Sequence, residues 1–349
     1  MRSRLALGAR VGRAWHLGRR RAPGTALAGV IALAATFVAT LHGGPQLLYA
    51  LLFGVTFNYL SQDARTRPGI EFAGRTVLRL GVALLGARIT AAQIAELGWE
   101  TALAVIAGVA TTLLCGLAVG SLLGMSRAQR VLSGGAVGIC GASAALAISA
   151  VLPPEKDGDR FTLMVVVSVT VLSTLAMIGY PLIARWLELP PALAGLFLGG
   201  TIHDVAQVVG AGYMLNAETG DIATIVKLFR VALLTVVVVI VSAAFKGARE
   251  RAQAASASGR TPARQALVPW FLWLFIGMVV LNSVGAFSPA LQAGLSDFSR
   301  ACLVVAITAL GIKTSFAQLA RAGWRPMALI IIETVWIAAF VLAVILWRR

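Results

Sequence analysis

The chain has 349 residues, of which 58% are hydrophobic and 13% are charged, and its mean hydropathy is positive. This composition excludes a soluble domain of ordinary make-up and indicates an integral membrane protein. The formal net charge is +16. Because the basic residues lie in short connectors between apolar runs, we interpret them as signals for orientation in a membrane and not as a nucleic-acid surface.

Apolar runs recur along the whole chain, and each is about 17 to 25 residues long, which suffices to cross a bilayer as an α-helix. We therefore predict an all-α polytopic membrane protein with about 11 transmembrane helices. The predicted helices span residues 25–42, 45–61, 76–93, 99–123, 132–152, 161–180, 191–214, 222–245, 267–287, 300–318 and 326–347.

An Arg-rich tail, residues 1–24, precedes the first predicted helix. Tail and helix together resemble an Arg-rich signal peptide, but the run has about the length of a membrane crossing, so we predict an uncleaved helix. Lys and Arg are concentrated in this tail and in alternate loops such as 62–75 and 246–266, whereas the opposite loops are short and acidic or mixed. Because basic loops stay in the cytoplasm, we expect a bacterial inner-membrane protein with a cytoplasmic N-terminus.

Two stretches of the chain are similar to each other. GVTFNYLSQ at 54–62 aligns with GGTIHDVAQ at 199–207, and the helices that follow also match, 76–85 with 224–234. Five crossings separate the copies, so the second copy would run through the membrane in the opposite direction. This is the pattern of an inverted-topology repeat.

The repeat defines the expected domains. We predict a first five-helix repeat at 45–180 and a second, inverted one at 191–347, with the helix at 25–42 as an extra N-terminal crossing. A rival match, of 85–99 with 310–324, has an equally odd offset but would divide the repeats awkwardly.

Inverted repeats are typical of secondary transporters, which bind substrate near the bilayer midplane beside discontinuous helices. The most glycine-rich candidate is GGAVGICGASAALA at 134–147, in the fifth predicted helix, and its partner by the repeat is TALGIKTS at 308–315, in the tenth. A break in each would expose helix amino-termini, whose N–H groups and positive dipole ends suit an anion. Close helix packing through small residues would explain the glycines equally well.

Ionisable residues inside membrane helices are costly and are therefore candidates for function. Eight such residues lie more than two positions inside the predicted helices, and five of the eight are strong cations, which would attract an anion if they converged. Each cation could instead extend its flexible side chain towards the membrane surface. The eight are Arg79, Arg88, His203, Asp204, Lys227, Arg230, Lys313 and Glu333.

His203 and Asp204 form an adjacent base and acid in an apolar stretch. Neighbours on a helix point about 100° apart, so one of them would meet a cation such as Lys227 or Arg230 while the other lines a cavity. Histidine titrates near neutral pH, so we predict that this pair couples transport to protons. The alternative is a structural Asp–cation pair with a helix-capping histidine at a break.

The predicted substrate site combines cations with small or polar residues of the two presumed breaks and of the repeated motif, where Asn58 is equivalent to His203. Its members are Asn58, Arg88, Gly138, Cys140, Gly141, Ser143, Thr201, Lys227, Arg230, Lys313 and Thr314. Three cysteines without paired spacing indicate neither a disulfide framework nor a zinc site. We expect no metal and no cofactor.

Four motifs together resemble one known family: LRLGVALLGARIT at 78–90, GICGASAALAISAVLP at 138–153, GGTIHDVAQVVGAG at 199–212 and ALGIKTSFAQL at 309–319. They are similar to the bacterial YeiH-type family, whose members are presumed sulfate exporters. That family is related to the sodium/proton antiporter and bile-acid symporter superfamily, which implies ten core helices in two inverted repeats with crossed discontinuous helices. The resemblance implies anion transport more strongly than it implies sulfate.

These observations predict a secondary active transporter of a small anion, such as sulfate or a related sulfur oxyanion or sulfonate, coupled to protons and acting by alternating access. The expected partners are the anion, protons or another coupling ion, and the lipid bilayer. A homodimer is one option for the oligomeric state, and we expect no binding of nucleic acid. One alternative is a cation/proton antiporter of the same fold that uses Asp204. Another is an intramembrane hydrolase with Cys140 as nucleophile and His203 as base, although we expect no enzyme.

Overall fold

A computed structural model describes residues 2–42, 44–155, 157–255, 270–314 and 323–348. Within these ranges the secondary structure is helical, without strands. The α-helices are α1 (Arg2–His42), α2 (Gln46–Thr56), α3 (Arg67–Phe72), α4 (Leu78–Leu85), α5 (Ala91–Glu96), α6 (Gly98–Leu122), α7 (Arg127–Gly138), α8 (Ala142–Ser149), α9 (Gly158–Trp186), α10 (Pro191–Thr201), α11 (Val205–Leu215), α12 (Ala217–Ala244), α13 (Lys246–Ala255), α14 (Trp270–Ser283), α15 (Pro289–Lys313) and α16 (Trp324–Trp347).

Short irregular helices occur near α2, α3 and α4. They are 3₁₀ helices at Asn58–Ser61 and Gly86–Arg88 and a π-helix at Ala73–Val77. The π-helix joins α3 directly to α4, so the third predicted helix begins at Arg67, earlier than expected, and includes part of the predicted 62–75 loop.

Six of the described helices are long and apolar enough to cross a membrane: the Gly18–His42 part of α1, together with α6, α9, α12, α15 and α16. Four shorter apolar helices accompany them, namely α2, α10, α11 and α14. The chain is therefore a polytopic all-helical membrane protein, as its composition predicts. The number of crossings stays a prediction, because several predicted helices are short or divided.

The fifth predicted helix is broken between α7 and α8, where the glycine-rich motif predicts a break. A capping box between Ser126 and Gln129 starts α7, which ends at Gly138. Ile139 then leaves helical geometry with φ −115° and ψ −84°, and Gly141 has φ +62° and ψ −123°. This backbone conformation is open to glycine and strained for other residues, so Gly141 fixes where α8 can begin.

The seventh predicted helix is also broken, as the alternative interpretation of His203 at a break requires. α10 ends at Thr201 and α11 begins at Val205, with extended backbone at Ile202 (φ −62°, ψ 138°) and at Asp204 (φ −98°, ψ 146°). The break persists because groups from other helices replace the lost intrahelical bonds. Ser173 of α9, for example, accepts the Asp204 amide hydrogen at 3.0 Å.

The tenth predicted helix leaves helical geometry inside its motif, because α15 ends at Lys313 and Thr314 is extended (φ −73°, ψ 111°). A second half-helix after this point stays a prediction. Gly311 also serves packing: a Cβ on Gly311 would lie 2.9 Å from Cα of Gly54 and 3.0 Å from N of Val55 in α2. The chain leaves the helix at Thr314, and residues 315–322 lie outside the described ranges.

Two compact units divide the chain. Unit 1 comprises Met1–Arg88 and Leu274–Ser315, and unit 2 comprises Ile89–Trp273 and Phe316–Arg349. In unit 1, α15 packs against α1, α2 and α4. In unit 2, α10 and α11 pack on α12, while α16 packs against α6, α7, α9 and α10. Each unit takes helices from both predicted repeats, and the division into repeats stays a prediction.

The repeated motif has a local structural counterpart. α2 and α10 each contain 11 residues, and they end at Thr56 and Thr201, the threonines that the sequence alignment pairs. Gly54 and Gly199, also paired by the alignment, each lie where a Cβ would collide with a neighbouring helix. The two copies therefore share a helix end and a glycine contact, each within its own unit.

Candidate functional site

Lys227 joins the two helix breaks of unit 2. It lies three residues before Arg230 on α12, and its exposed fraction is 0%. Its Nζ donates to the carbonyl of Ile139 at 2.7 Å and to the carbonyl of Ile202 at 2.8 Å. Since these carbonyls belong to different breaks, a single ammonium group holds both breaks together.

The guanidinium of Arg230 covers the carboxyl ends of α7 and α10. Nε and Nη2 donate to the Gly138 carbonyl at 3.1 and 2.7 Å, and Nη2 also donates to Val137 at 3.2 Å. Nη1 donates to Gly199 at 3.0 Å and to Ile202 at 3.2 Å. Hydrogen bonds from a charged donor each contribute about 1.5–3 kcal/mol, and the last carbonyls of a helix lack intrahelical partners. These bonds explain how two helices can end inside an apolar unit.

The charge pattern at the breaks follows from these contacts. A helix carries about half a negative charge at its carboxyl end and about half a positive charge at its amino end. Lys227 and Arg230 neutralise the carboxyl ends of α7 and α10. The positive partial charges at the amino ends of α8 and α11 are not neutralised in this way, and both helices start without a hydrogen bond from an N-cap side chain. The local excess of charge at the breaks is therefore positive.

Two polar side chains stand at those amino ends. Ser143 is exposed in the first turn of α8, and Asp204 is partly exposed at the N-cap position of α11. Asp204 also interacts electrostatically with Lys227. A ligand that reaches the amino end of α8 would therefore meet a free hydroxyl, and a carboxylate stands at the start of α11.

His203 is a buried link between three segments, with an exposed fraction of 1%. Its Nδ1 lies 3.3 Å from the Val137 carbonyl and its Nε2 lies 3.0 Å from Oγ1 of Thr334 in α16. The Val137 carbonyl can only accept, so Nδ1 is the donor there. The Thr334 hydroxyl donates its one hydrogen to the Ile330 carbonyl at 2.7 Å, so it presents a lone pair towards Nε2. Both ring nitrogens therefore lie within hydrogen-bond distance of protein groups.

Cys140 and Thr201 are buried at the breaks, with exposed fractions of 4% and 0%. The Thr201 hydroxyl donates to the Phe197 carbonyl at 2.6 Å within α10, so it supports the helix end. Because both nitrogens of His203 bind other groups, the ring is not arranged as a base for the Cys140 thiol. The geometry therefore does not support the hydrolase alternative.

Four predicted site residues lie in unit 1. Asn58 donates to the Ile312 carbonyl at 2.7 Å, and Thr314 donates to the Leu310 carbonyl at 2.9 Å, so both stabilise the carboxyl end of α15. Arg88 closes the 3₁₀ helix after α4, and Lys313 is the exposed last residue of α15. Unit 2 holds the other members of the predicted set, namely Gly138, Cys140, Gly141, Ser143, Thr201, His203, Asp204, Lys227 and Arg230.

Sequence reasoning missed the backbone carbonyls and the side chain of Thr334. Carbonyls carry no residue-specific signal, and Thr334 is 131 positions from His203. The Gly199–Gly200 pair before Thr201 was a usable sign of the second break, because glycines often mark discontinuous membrane helices. Among the described residues, no group of three or more His, Cys, Asp or Glu side chains could hold a metal ion.

Comparison with known proteins defines the family. The family described as Conserved hypothetical protein 698 matches residues 23–330. The chain belongs to this family. The predicted membership in a known family is thereby confirmed, whereas the YeiH-type label and the relationship to antiporters and bile-acid symporters stay predictions.

Relatives in this family resemble the chain over nearly its whole length. UPF0324 membrane protein CT0845 of Chlorobaculum tepidum is 48% identical over 326 residues, which is 93% of this chain and 89% of the relative. UPF0324 membrane protein TauZ of Paracoccus pantotrophus is 47% identical over 326 residues, covering 92% and 94%. UPF0324 membrane protein RB0971 of Rhizobium meliloti is 44% identical over 322 residues, covering 92% and 91%. All three are named as membrane proteins.

Proposed function

We propose that the chain is a secondary active transporter that carries a small anion across the bacterial inner membrane by alternating access, coupled to protons. The substrate class is sulfate or a related sulfur oxyanion or sulfonate, and export is the proposed direction. The observation that carries this proposal is the pair of buried cations, Lys227 and Arg230, at two helix breaks.

The cations act through the helix ends. Because they bond to the carboxyl ends of α7 and α10, those ends no longer repel an anion, and the amino end of α8 can offer its N–H groups. This refines the sequence prediction, in which Lys and Arg side chains contact the anion directly. The positive dipole end and the Ser143 hydroxyl suit a compact oxyanion, since sulfate and sulfonate groups present several acceptor oxygens.

Asp204 supports the proton-coupled form of the proposal. A carboxylate at the start of α11 reduces the positive charge near an anion, and a proton on Asp204 removes that effect. Anion binding and proton binding would then favour each other, so the anion and the proton would cross together in the same direction, which is outward for the proposed export. His203, also predicted as a coupling group, has both nitrogens occupied within the protein. Asp204 is therefore the stronger candidate.

We also propose that the chain keeps its N-terminus in the cytoplasm and crosses the membrane in two inverted five-helix repeats after an extra first helix. The distribution of Lys and Arg supports the orientation. The matching ends of α2 and α10, together with the paired glycines Gly54 and Gly199, support the repeats.

Uptake of labelled sulfate into proteoliposomes tests the function, with sulfite, thiosulfate and taurine as competitors and an imposed pH gradient as the driving force. The wild type should accumulate one of these anions, and Arg230→Gln should not. Arg67→Gln, which removes an arginine from an exposed ion pair with Glu71, is the matched control and should transport normally.

A second set of vesicles separates the anion carrier from the cation/proton antiporter. If no anion enters but sodium drives proton flux that Asp204→Asn abolishes, the antiporter interpretation replaces ours. If Asp204→Asn instead still takes up the anion but loses its dependence on the pH gradient, Asp204 is the coupling group of an anion carrier.

A further inference from the structure

Glu333 is a buried acid that the proposed site does not use. It lies near the middle of α16 in unit 2, and its exposed fraction is 0%. The hydroxyl of Ser133 in α7 donates to its Oε2 at 2.6 Å. Its other oxygen, Oε1, has no hydrogen-bond partner among the described residues. Such an orphaned buried oxygen requires an explanation, because nearly all buried polar atoms are hydrogen-bonded.

The carboxyl group occupies space that a glycine provides. A Cβ on Gly116 of α6 would collide with Oε1 of Glu333, and it would also lie 3.1 Å from Cα of Gly134 and 3.2 Å from the Arg130 carbonyl. The small residues Gly116 and Gly134 thus bring α6 and α7 together around one acid. The space around Oε1, called the pocket below, is bordered by the backbones of α6 and α7.

Few ionisable groups lie near this pocket on the helices that pack against α16, namely α6, α7, α9 and α10. From α6, Cys115 is close enough for an electrostatic interaction. From α7, Arg130 is one turn from Ser133, and its guanidinium donates to the Leu117 carbonyl at 3.3 Å. α10 has no ionisable residue. The charged residues of α9 lie in its first and last turns, and Tyr180 of α9 stacks on Phe197 of α10. His203 contacts Thr334, the residue after Glu333.

These surroundings suit a neutral carboxylic acid. An ionised carboxylate without water needs a cationic partner or several donors, because burying an uncompensated charge is far more costly than burying a polar neutral group. Glu333 has a single neutral donor, Ser133. We propose that Glu333 is a proton-binding site: when the pocket opens, its carboxylate accepts a proton from a hydronium ion, so that an O–H bond forms on Glu333 as one O–H bond of hydronium breaks and water leaves. Glu333 holds that proton when α6, α7 and α16 close around it.

The same helices connect this acid to the breaks, so proton binding at Glu333 can be coupled to transport. Thr334, the next residue, contacts Nε2 of His203. Ser133 is one turn from Val137, whose carbonyl accepts from Arg230. A shift of α7 or α16 that opens the pocket also moves these bonds. This coupling rests on the proposed function, whereas proton binding itself does not.

Infrared difference spectroscopy of the reconstituted full chain tests proton binding directly. Spectra recorded as the pH changes should contain the carbonyl stretch of a protonated carboxylic acid in the wild type, and Glu333→Gln should lack this band. Ser133→Ala should keep the band at a shifted frequency, because the bond to Oε2 is removed. Glu100→Gln, an exposed acid paired with Arg348, is the matched control and should leave the band unchanged.

Identical spectra of the wild type and Glu333→Gln at every pH would overturn the proposal. If Glu333→Gln does not fold, Ser133→Ala decides: a band unchanged in frequency also overturns it. In vesicles, Glu333→Gln should retain exchange of labelled sulfate for unlabelled sulfate and lose accumulation driven by the pH gradient. Normal accumulation would refute the coupling. If neither the wild type nor any variant moves sulfate, the proposed function is refuted. The infrared band would still establish proton binding at Glu333.

Discussion

Lys227 and Arg230 share one acceptor, the carbonyl of Ile202, at 2.8 and 3.2 Å. That carbonyl belongs to the break after α10, and each of the two side chains also reaches the break after α7. Two discontinuous helices are therefore fixed to each other through a third, continuous helix, α12. The arrangement explains why two cations are kept inside a membrane protein, where an unpaired charge is strongly unfavourable.

Replacing Lys227 by Met should destabilise the protein and abolish anion uptake. The substitution leaves the buried carbonyl of Ile139 without this donor, whereas Ile202 keeps its bond from Arg230. A buried unsatisfied group costs about 1–3 kcal/mol. Thermal unfolding in detergent and uptake into vesicles measure the two effects. Lys246→Met is the control, because that ammonium is 72% exposed in an ion pair with Glu250 and should contribute little. Equal unfolding temperatures for the two variants would show that the bridge between the breaks has no structural role.

Arg230→Lys should also reduce transport, although it preserves the charge. An ammonium cannot reproduce the planar fork that reaches Val137, Gly138, Gly199 and Ile202 together. We expect a fall in uptake rate of about tenfold or more, since losing a single charged hydrogen bond of about 1.5–3 kcal/mol already exceeds a factor of ten. The initial rate of uptake is the measurement, and wild-type activity in this variant would mean that charge alone is required.

Gly141→Ala should destabilise unit 2. Its φ of +62° is disfavoured for alanine, and an added Cβ would contact Cβ of His203 and Cγ2 of Val169, each at 3.4 Å. Strained backbone of this kind costs about 1–3 kcal/mol. Gly179→Ala is the matched control in α9, where no atom lies within 4 Å of the added Cβ, and a helical alanine should be neutral or stabilising. Unfolding midpoints in a denaturant series compare the two variants, and a neutral Gly141→Ala would contradict the assigned turn.

Gly311→Ala should weaken the packing of α15 against α2 in unit 1. Its Cβ would meet the backbone of Leu51, Gly54 and Val55, which can move only if the helices separate. Overpacking of this kind costs about 1–3 kcal/mol. Gly277→Ala in α14, with nothing within 4 Å, provides the comparison. If Gly311→Ala is as stable as the wild type but fails to transport anion, the glycine has a functional role that the continuous helix does not suggest.

The membrane class, the all-helical fold, the family and a break within the glycine-rich segment 134–147 follow from the amino-acid sequence alone. These properties depend on hydropathy over a helix length and on a residue type that tolerates positive φ, so they can be derived from local sequence. The sequence also identified four candidates for function, because ionisable residues are rare in apolar helices. They are His203, Asp204, Lys227 and Arg230.

The position of the second break and the groups that the cations bind depend on contacts between distant parts of the chain. TALGIKTS and GGTIHDVAQ are both rich in small and polar residues, and a helix ends within each, α15 at Lys313 and α10 at Thr201. Their neighbours differ: the Asn58 amide binds the Ile312 carbonyl at the end of α15, whereas Lys227 and Arg230 bind the carbonyls that α10 leaves unpaired. A helix break inside a membrane protein is stable only where distant groups satisfy the freed backbone, and sequence spacing does not reveal which groups those are.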